Sequence, residues 1–211
     1  MTERRTQEER SAAMIRRLLD AAIETLIEVG YGEASVQRVC EHAGVSQGAL
    51  FRHFPTREAL MVAVGRDVAS RTLNAYRKDF KRLHGKEQPH ALALRLVRTH
   101  CRSRLNLAWY ELSLAARTRP ALRAELSPVL VSYHADITAL ARELLPELAS
   151  ALGERFEAAV SLIVAVFDGE SVERFVAARP KMDNGRMDIL MMLMQLVPML
   201  SGAPAARQPV R

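Results

Sequence analysis

Two glutamines, with cationic side chains on either side of them, are the residues of this chain best suited to contact a nucleic acid. The amide of Gln47 can pair with N6 and N7 of adenine, and Gln37 offers a second amide of the same kind. The small residues Gly48 and Ala49 would let a helix lie close to a duplex. Side chains that can bind phosphate groups flank these positions: Arg38, Arg52, His53 and Arg57. The pattern predicts a DNA-binding surface on which the glutamines contact base edges at the centre and the flanking cationic side chains bind phosphates at the margins.

The residues around the two glutamines predict two short helices joined by a tight turn. Ser35 has the hydroxyl of a helix N-cap, and Gly44 can adopt the positive φ that ends a helix sharply. Ser46 provides a second N-cap, so the second helix is expected from Gln47 to Phe54. Two helices joined in this way form a helix-turn-helix, and the N-terminal end of its second helix enters the major groove. Gln47 lies at that end.

The segment GVSQGALFRHFPTREAL, residues 44–60, closely resembles the DNA-binding domain of the TetR family of bacterial transcriptional regulators. The resemblance extends back through TLIEVGYGEASVQRVCEHA, where Gly30, Tyr31 and Ser35 reproduce the family's G-Y-x-x-x-S/T pattern. Together the two segments make a specific match, because glycine, serine and aromatic positions recur over much of the N-terminal region.

The resemblance implies particular contacts with DNA. Gln37 and Gln47 are expected to contact bases. Phosphate contacts are expected from Ser35, Phe51, His53 and Arg57. The chain departs from the family at Phe51, where a tyrosine is usual, so ring packing carries over but the hydroxyl bond to phosphate does not.

The overall charge is weaker support for a nucleic-acid partner than these local residues. The formal net charge is +6 and the pI is near 9.8, but residues 1–57 contain eight arginines and eight acidic residues. An N-terminal arm with Arg4, Arg5 and Arg10 is expected either to enter a minor groove or to be an ordinary solvated terminus. With two cysteines and no signal peptide at its start, the chain is expected to be cytoplasmic and to lack a disulfide framework.

Helical periodicity continues through the whole chain, and no segment alternates with the period of a β-strand. The first helix is expected from about Glu8 to Val29, and a helix capped by Thr56 is expected to reach Leu83. After a break at residues 84–90, helices are expected at Ala91–Cys101, Arg104–Arg117, Ala121–Leu145 with either a kink or a division into two parts at Pro128, Glu154–Ala178 and Met187–Leu200. The predicted fold class is all-α, with an N-terminal three-helix helix-turn-helix DNA-binding domain (1–57) and a larger C-terminal helical domain for ligand binding and dimerisation (58–211).

The last two predicted helices are so apolar that they must be buried, either in a protomer core or in a subunit interface. We favour the interface, because a two-fold dimer doubles the DNA site, and TetR-like proteins usually pair through these helices as a four-helix bundle. The interface is expected to contain Phe156, Val160, Ile163, Phe167, Leu190 and Met194. The apolar run near the C-terminus is shorter than the about 20 residues that cross a bilayer, so no membrane partner is expected.

A small-molecule effector is also implied by the resemblance, in a cavity among the middle helices of the C-terminal domain. Trp109, His134 and Phe167 are the candidate pocket residues, although core packing is the commoner role for such side chains. Because these helices carry few polar residues on their apolar faces, the expected ligand is hydrophobic. The effector must bind better to the state that cannot bind DNA.

Motifs of an enzyme are missing from the sequence. It contains no glycine-rich phosphate loop, no nucleophile elbow and no suitably spaced metal ligands, so no catalytic residue, metal or cofactor is expected. Asp168 and Glu170 could be paired carboxylates, but an exposed polar helix end is the expected explanation. The preferred function is a dimeric repressor released by a ligand. The alternatives are an effector-independent regulator or activator, and a helical enzyme or ligand carrier with an incidental helix-turn-helix.

Overall fold

The computed structural model describes residues 6–83, 85 and 88–200, without the side chains of residues 198–200. These residues form ten α-helices and one 3-10 turn, and they contain no strand. The helices are α1 Gln7–Glu33, α2 Val36–Ala43, α3 Gln47–Phe51, α4 Arg57–Leu83, α5 Pro89–Cys101, α6 Arg104–Ala116, α7 Pro120–Leu144, α8 Pro146–Leu152, α9 Phe156–Glu173 and α10 Pro180–Leu200, with the 3-10 turn at Gly153–Arg155. The all-α prediction is confirmed. Part of the predicted break at 84–90 and the arginines at positions 4 and 5 lie outside the described residues.

Several helix bounds differ from the prediction for local reasons. Helix α3 ends at Phe51 instead of Phe54, because the amides of His53 and Phe54 both turn back to the carbonyl oxygen of Leu50. Helix α7 continues through Pro128. Helix α8 was not predicted; it begins at Pro146, where a proline occupies the first turn of a helix without disturbing its hydrogen bonds.

The chain divides into two compact units. Unit 1 contains the described residues up to Thr72 together with Arg104–Ser132, and unit 2 contains Leu73–Ser103 and the described residues from Tyr133 onward. The division falls within helices α4 and α7. Unit 1 therefore contains more of the chain than the predicted boundary at residue 57 would give it, and that boundary remains a prediction about function.

Contacts between helices α1 and α6 explain why unit 1 extends beyond the predicted boundary at residue 57. An ion pair joins Arg104 Nη2 to Glu24 Oε2 at 2.6 Å, and the Glu111 carboxylate accepts a 2.9 Å hydrogen bond from the Tyr31 amide. The core of unit 1 contains fully buried side chains from α1, α3, α4, α6 and α7: Leu18, Leu26, Leu50, Leu60, Met61, Leu112 and Leu122. Local sequence patterns predict the helices but not such pairings between distant parts of the chain.

Unit 2 has two smaller apolar clusters. One is built around Tyr76, Phe80 and Leu92, and the other around Leu94, Phe167 and Leu190. None of the helices among the described residues is sufficiently long and apolar to cross a membrane.

Candidate DNA-binding surface

Helices α2 and α3 are joined by the tight turn that the sequence predicted. Ser35 Oγ accepts a hydrogen bond of 3.2 Å from the Arg38 amide, which caps α2. Gly44 then adopts φ 61° and ψ 45°, the left-handed conformation that glycine tolerates without a Cβ clash. Ser46 Oγ accepts a hydrogen bond of 3.2 Å from the Ala49 amide and caps α3. The three capping residues predicted in this motif are thus confirmed.

The inner side of the motif is packed into the core of unit 1. Val39 and Leu50 are fully buried, and Cys40 is 4% exposed. Burial raises the pKa of the Cys40 thiol, and the nearby Glu41 carboxylate raises it further. The thiol is therefore protonated at neutral pH and is a poor nucleophile or metal ligand. No group of three His, Cys, Asp or Glu side chains in the described part of the chain could hold a metal ion.

The outer side of the motif presents the predicted base-contacting residues. Gln47, Gly48 and Gln37 are exposed, and Ala49 is half-buried. A Cβ added to Gly48 would meet only Ser46 Oγ, at 3.9 Å, so the space beside this glycine is open. Gln37 Nε2 donates a hydrogen bond of 2.9 Å to Glu41 Oε1. The N-terminal end of α3 therefore presents two small residues and one long amide side chain.

The predicted phosphate-contacting residues have different surroundings. Ser35, Arg38 and Arg52 are exposed, His53 is half-buried, and Phe51 retains 44% of its surface. Arg38 Nη2 lies 3.4 Å from Glu33 Oε2 in an exposed ion pair. Such pairs contribute about 0–1 kcal/mol, so a phosphate can replace the carboxylate at little cost.

Arg57 has an internal role that its sequence position did not reveal. Its Nε donates a hydrogen bond of 2.9 Å to the Ala34 carbonyl oxygen, and its Nη2 donates to the Tyr31 carbonyl oxygen. The guanidinium carbon also lies 4.1 Å from the centroid of the Tyr31 ring. The arginine at the start of α4 thus holds the connection between α1 and α2.

Two further residues of unit 1 join this arrangement, and sequence reasoning missed both. The guanidinium carbon of Arg119 lies 4.7 Å from the Tyr31 ring centroid. Glu111 lies beside Gly30, whose φ of 71° is inaccessible to most side chains, and a Cβ there would come within 3.1 Å of Glu111 Oε2. The Gly30–Tyr31 pair could be recognised in the sequence, but Glu111 and Arg119 lie 80 or more residues further along the chain.

Unit 2 contains an apolar pocket of about 170 Å³, lined by residues of α4, α5 and α7–α10. Its lining includes Tyr76, Phe80, Phe156, Val160, Ile163 and Met194, and it contains no charged side chain. None of the three predicted pocket residues lines it. Trp109 packs against the core of unit 1, His134 is half-buried beside Tyr133, and Phe167 is fully buried with Leu94 and Leu190. The aromatic character of these three side chains did not show whether they line a pocket or pack in a core.

The six predicted interface residues differ in burial within unit 2, and their place in an interface stays a prediction. Phe156, Phe167 and Leu190 are buried, and the half-buried residues Val160, Ile163 and Met194 line the pocket. Apart from Met182 near the start of α10, the exposed large apolar side chains of α9 and α10 are other residues, of which Leu162 and Leu193 also border the pocket: Leu162, Val172, Ile189, Met192, Leu193 and Leu196. We call this set the outer apolar face. Because α9 is apolar around most of its circumference, the sequence identified the helix but not the side that stays exposed.

Glu170 is buried, which corrects its prediction as part of an exposed helix end. It is 1% exposed and accepts hydrogen bonds from Arg98 and Arg102, with 2.8 Å between Arg98 Nε and Glu170 Oε1. Asp183, at the start of α10, is 2% exposed and accepts from Arg102 at 3.0 Å and from Arg174 at 2.8 Å. Burying a carboxylate is costly unless it is paired, and the arginines provide the pairing. This network joins α5, α9 and α10.

Comparisons with known proteins agree with the helix-turn-helix geometry. Residues 18–64 match the family of bacterial regulatory proteins called the tetR family. An HTH-type transcriptional regulator of Mycobacterium tuberculosis is 38% identical over 190 residues, which cover 90% of this chain and 97% of that protein.

Two solved structures are similar over most of the fold. A member of the TetR family from Streptomyces coelicolor A3 is 25% identical with a TM-score of 0.63, covering 85% of this chain and 97% of its own. The multidrug binding protein EbrR, solved in complex with imidazole, is 26% identical with a TM-score of 0.60, covering 85% of this chain and 93% of its own. With capped α2 and α3 helices, a family match over the same residues and a relative aligned almost end to end, the chain belongs to the TetR family and is a helix-turn-helix transcriptional regulator.

Proposed function

We propose that this regulator is a homodimeric repressor that binds an inverted-repeat operator and releases it when a hydrophobic effector occupies the pocket of unit 2. The observation that carries the proposal is the exposure of Gln47 and Gly48 at the N-terminal end of α3, whose opposite side is anchored by the fully buried Leu50. A rigidly supported helix end with exposed amide and small side chains suits insertion into a major groove.

The contacts with DNA follow from this orientation of α3. Gln47 and Gln37 would contact base edges, with Gly48 and Ala49 permitting close approach. Phosphates would be held by Ser35, Arg38, Arg52, His53 and the ring of Phe51. Arg57 is assigned a supporting role instead, because its guanidinium already binds two backbone oxygens.

Dimerisation is proposed through the outer apolar face of α9 and α10. Six large apolar side chains between 40% and 59% exposed are costly to leave in water, and exposed apolar surface of this kind marks interaction sites. Small exposed residues on α9, namely Ala158, Ala165 and Gly169, would allow a second helix to approach closely. A two-fold axis here would give one recognition helix to each half of an inverted repeat.

The effector is proposed to bind in the apolar pocket of unit 2. Its uncharged lining suits a hydrophobic molecule, and the similar protein EbrR is a multidrug binding protein. Helix α4 supplies Tyr76 and Phe80 to the pocket and Arg57 to the support of the helix-turn-helix. A ligand that favours another position of α4 would lower operator affinity, with a coupling of about 1–3 kcal/mol.

Selection of bound duplexes from a random DNA library at physiological salt tests the proposal. We expect enrichment of an inverted repeat. The Gln47→Ala variant should lose preference at one position of each half-site, while Gln88→Ala, which changes an exposed glutamine of unit 2 without a side-chain cap bond, should select the wild-type sequence.

The outcomes separate the alternatives. A folded protein that enriches no sequence would favour an enzyme or carrier with an incidental helix-turn-helix. An enriched repeat whose affinity is unchanged when the pocket is occupied would favour an effector-independent regulator. An enriched repeat bound more tightly with the pocket occupied would favour an activator or a co-repressor mechanism.

A further inference from the structure

The surface of the apolar pocket in unit 2 offers a ligand almost no polar atom. Apart from Tyr76, its lining side chains in the described part of the chain are those of alanine, valine, leucine, isoleucine, methionine and phenylalanine. The Tyr76 hydroxyl is itself buried and inaccessible to water. The side chains of the pocket therefore offer a ligand apolar contacts.

The backbone around the pocket is committed to helices. The lining residues other than Leu145 lie in α-helices, which bond their amides to their own carbonyl oxygens. Leu145, between α7 and α8, is paired as well: its amide donates to the Ala141 carbonyl oxygen and its carbonyl oxygen accepts from the Ala149 amide, each at 2.9 Å. A hydroxyl or charged group on a ligand would therefore lose its hydration here without gaining a partner.

The volume of the pocket fits a small molecule. It is about 170 Å³, and an apolar cavity of about 150 Å³ can hold benzene. Leu162 and Leu193 at its border are 59% and 48% exposed, so the pocket reaches the protein surface. The pocket is therefore open to a ligand from solvent.

We propose that the pocket selects a small hydrocarbon, of the size of a substituted benzene ring, as the effector and excludes molecules of the same shape that carry a hydroxyl or ammonium group. This inference rests on the effector function proposed above and names the chemical class of that ligand. The selectivity arises because the walls that the described residues provide are apolar, so burial favours carbon and disfavours polar atoms.

Three probes of matched shape test the ligand class by calorimetric titration of the full chain at pH 7.5: ethylbenzene, benzyl alcohol and benzylamine. They differ only in the end of the substituent, which is a methyl, a hydroxyl or an ammonium group. We expect ethylbenzene to bind at least about 100-fold more tightly than either of the others, because only the methyl gives up no hydrogen bond to water. A smaller preference would mean that the polar group finds a partner or stays in water, and it overturns the hydrocarbon class.

The site of binding is tested with two substitutions on α7. Ala141 is half-buried and lines the pocket, so the larger side chain of Ala141→Leu should occupy it and weaken ethylbenzene binding at least about 10-fold. Ala139→Leu is the matched control, because Ala139 is exposed and does not line the pocket. Equal affinities of Ala141→Leu and wild type would place ethylbenzene elsewhere and overturn the proposal.

Operator affinity separates this inference from the proposed function. Ethylbenzene that binds with the expected preference but leaves operator affinity unchanged would support the hydrocarbon class and remove the effector role. Benzyl alcohol or benzylamine that binds as tightly as ethylbenzene and lowers operator affinity would overturn the class and keep the effector role. If none of the three binds, the hydrocarbon class is overturned, whereas the random-library selection still tests the regulator.

Discussion

Arg57 Nε donates a hydrogen bond of 2.9 Å to the carbonyl oxygen of Ala34, immediately before the N-cap of α2. The first residue of α4 therefore supports the backbone just before the helix-turn-helix. A cation that the sequence predicted at a phosphate is used to support the helices that we propose bind DNA.

Replacing Arg57 with alanine should destabilise unit 1 without the signature of a lost phosphate contact. Two hydrogen bonds from a charged donor and the packing on Tyr31 are removed, so we expect a loss of about 2 kcal/mol or more in the free energy of unfolding. Urea denaturation measures this loss. Arg52→Ala is the matched comparison: it should leave stability nearly unchanged and reduce the slope of log affinity against log salt by about 0.9. Arg57→Ala with wild-type stability and a reduced slope would restore Arg57 as a phosphate contact.

Gly48→Ala separates the stability of α3 from its approach to DNA. The added methyl has open space within the domain, and alanine is favoured over glycine inside a helix by about 1 kcal/mol, so the thermal midpoint should stay or rise. Operator affinity should fall, because the methyl would lie between α3 and the duplex. Circular dichroism and fluorescence anisotropy measure the two quantities. Unchanged affinity would show that the helix does not lie as close to the groove as proposed.

Charges placed on the outer apolar face should dissociate the dimer that we propose. Ile189 and Met192 are 56% and 53% exposed and do not line the pocket, so Ile189→Glu combined with Met192→Glu should leave the protomer folded. Light scattering after size exclusion should then report a monomer with weaker operator binding. Val131→Glu, at a 67% exposed apolar residue of unit 1, is the control that should remain dimeric. A dimer that persists in the double variant would place the interface elsewhere.

The Glu170→Gln substitution should be severely destabilising. Glu170 is fully buried between Arg98 and Arg102, and removing one partner of a buried ion pair typically costs about 3–5 kcal/mol. Chemical denaturation should show this loss, whereas Glu173→Gln, which changes an exposed carboxylate paired with Arg179 and Arg186, should have little effect. Similar stabilities for the two variants would mean that the network contributes little.

The sequence was most informative where structure depends on neighbouring residues. The caps at Ser35, Ser46 and Thr56 and the turn at Gly44 were predicted because each depends on hydrogen bonds or backbone angles within a few positions. The family resemblance covered the same local segment. Fold class followed from helical periodicity along the whole chain.

The sequence was less informative where the structure depends on distant partners. Arg57 was predicted on an outer surface because its acceptors, Tyr31 and Ala34, belong to another helix and its connection. Phe156 and Phe167 of α9 were predicted at an interface, but both are buried within the protomer, while Leu162 and Val172 of the same helix are exposed. Glu170 was predicted to be exposed because the arginines that neutralise it lie about 70 residues earlier.

The two cysteines provide a native pair of reporters of local opening. Cys40 is buried in unit 1 and Cys101 in unit 2, and burial raises the pKa of both thiols. Neither can react with an alkylating reagent until the surrounding helices open. Labelling followed by mass spectrometry would therefore give the opening free energy of each unit separately, with no engineered probe. A compound that bound in the pocket would be recognised by slower labelling at Cys101, and operator DNA by slower labelling at Cys40.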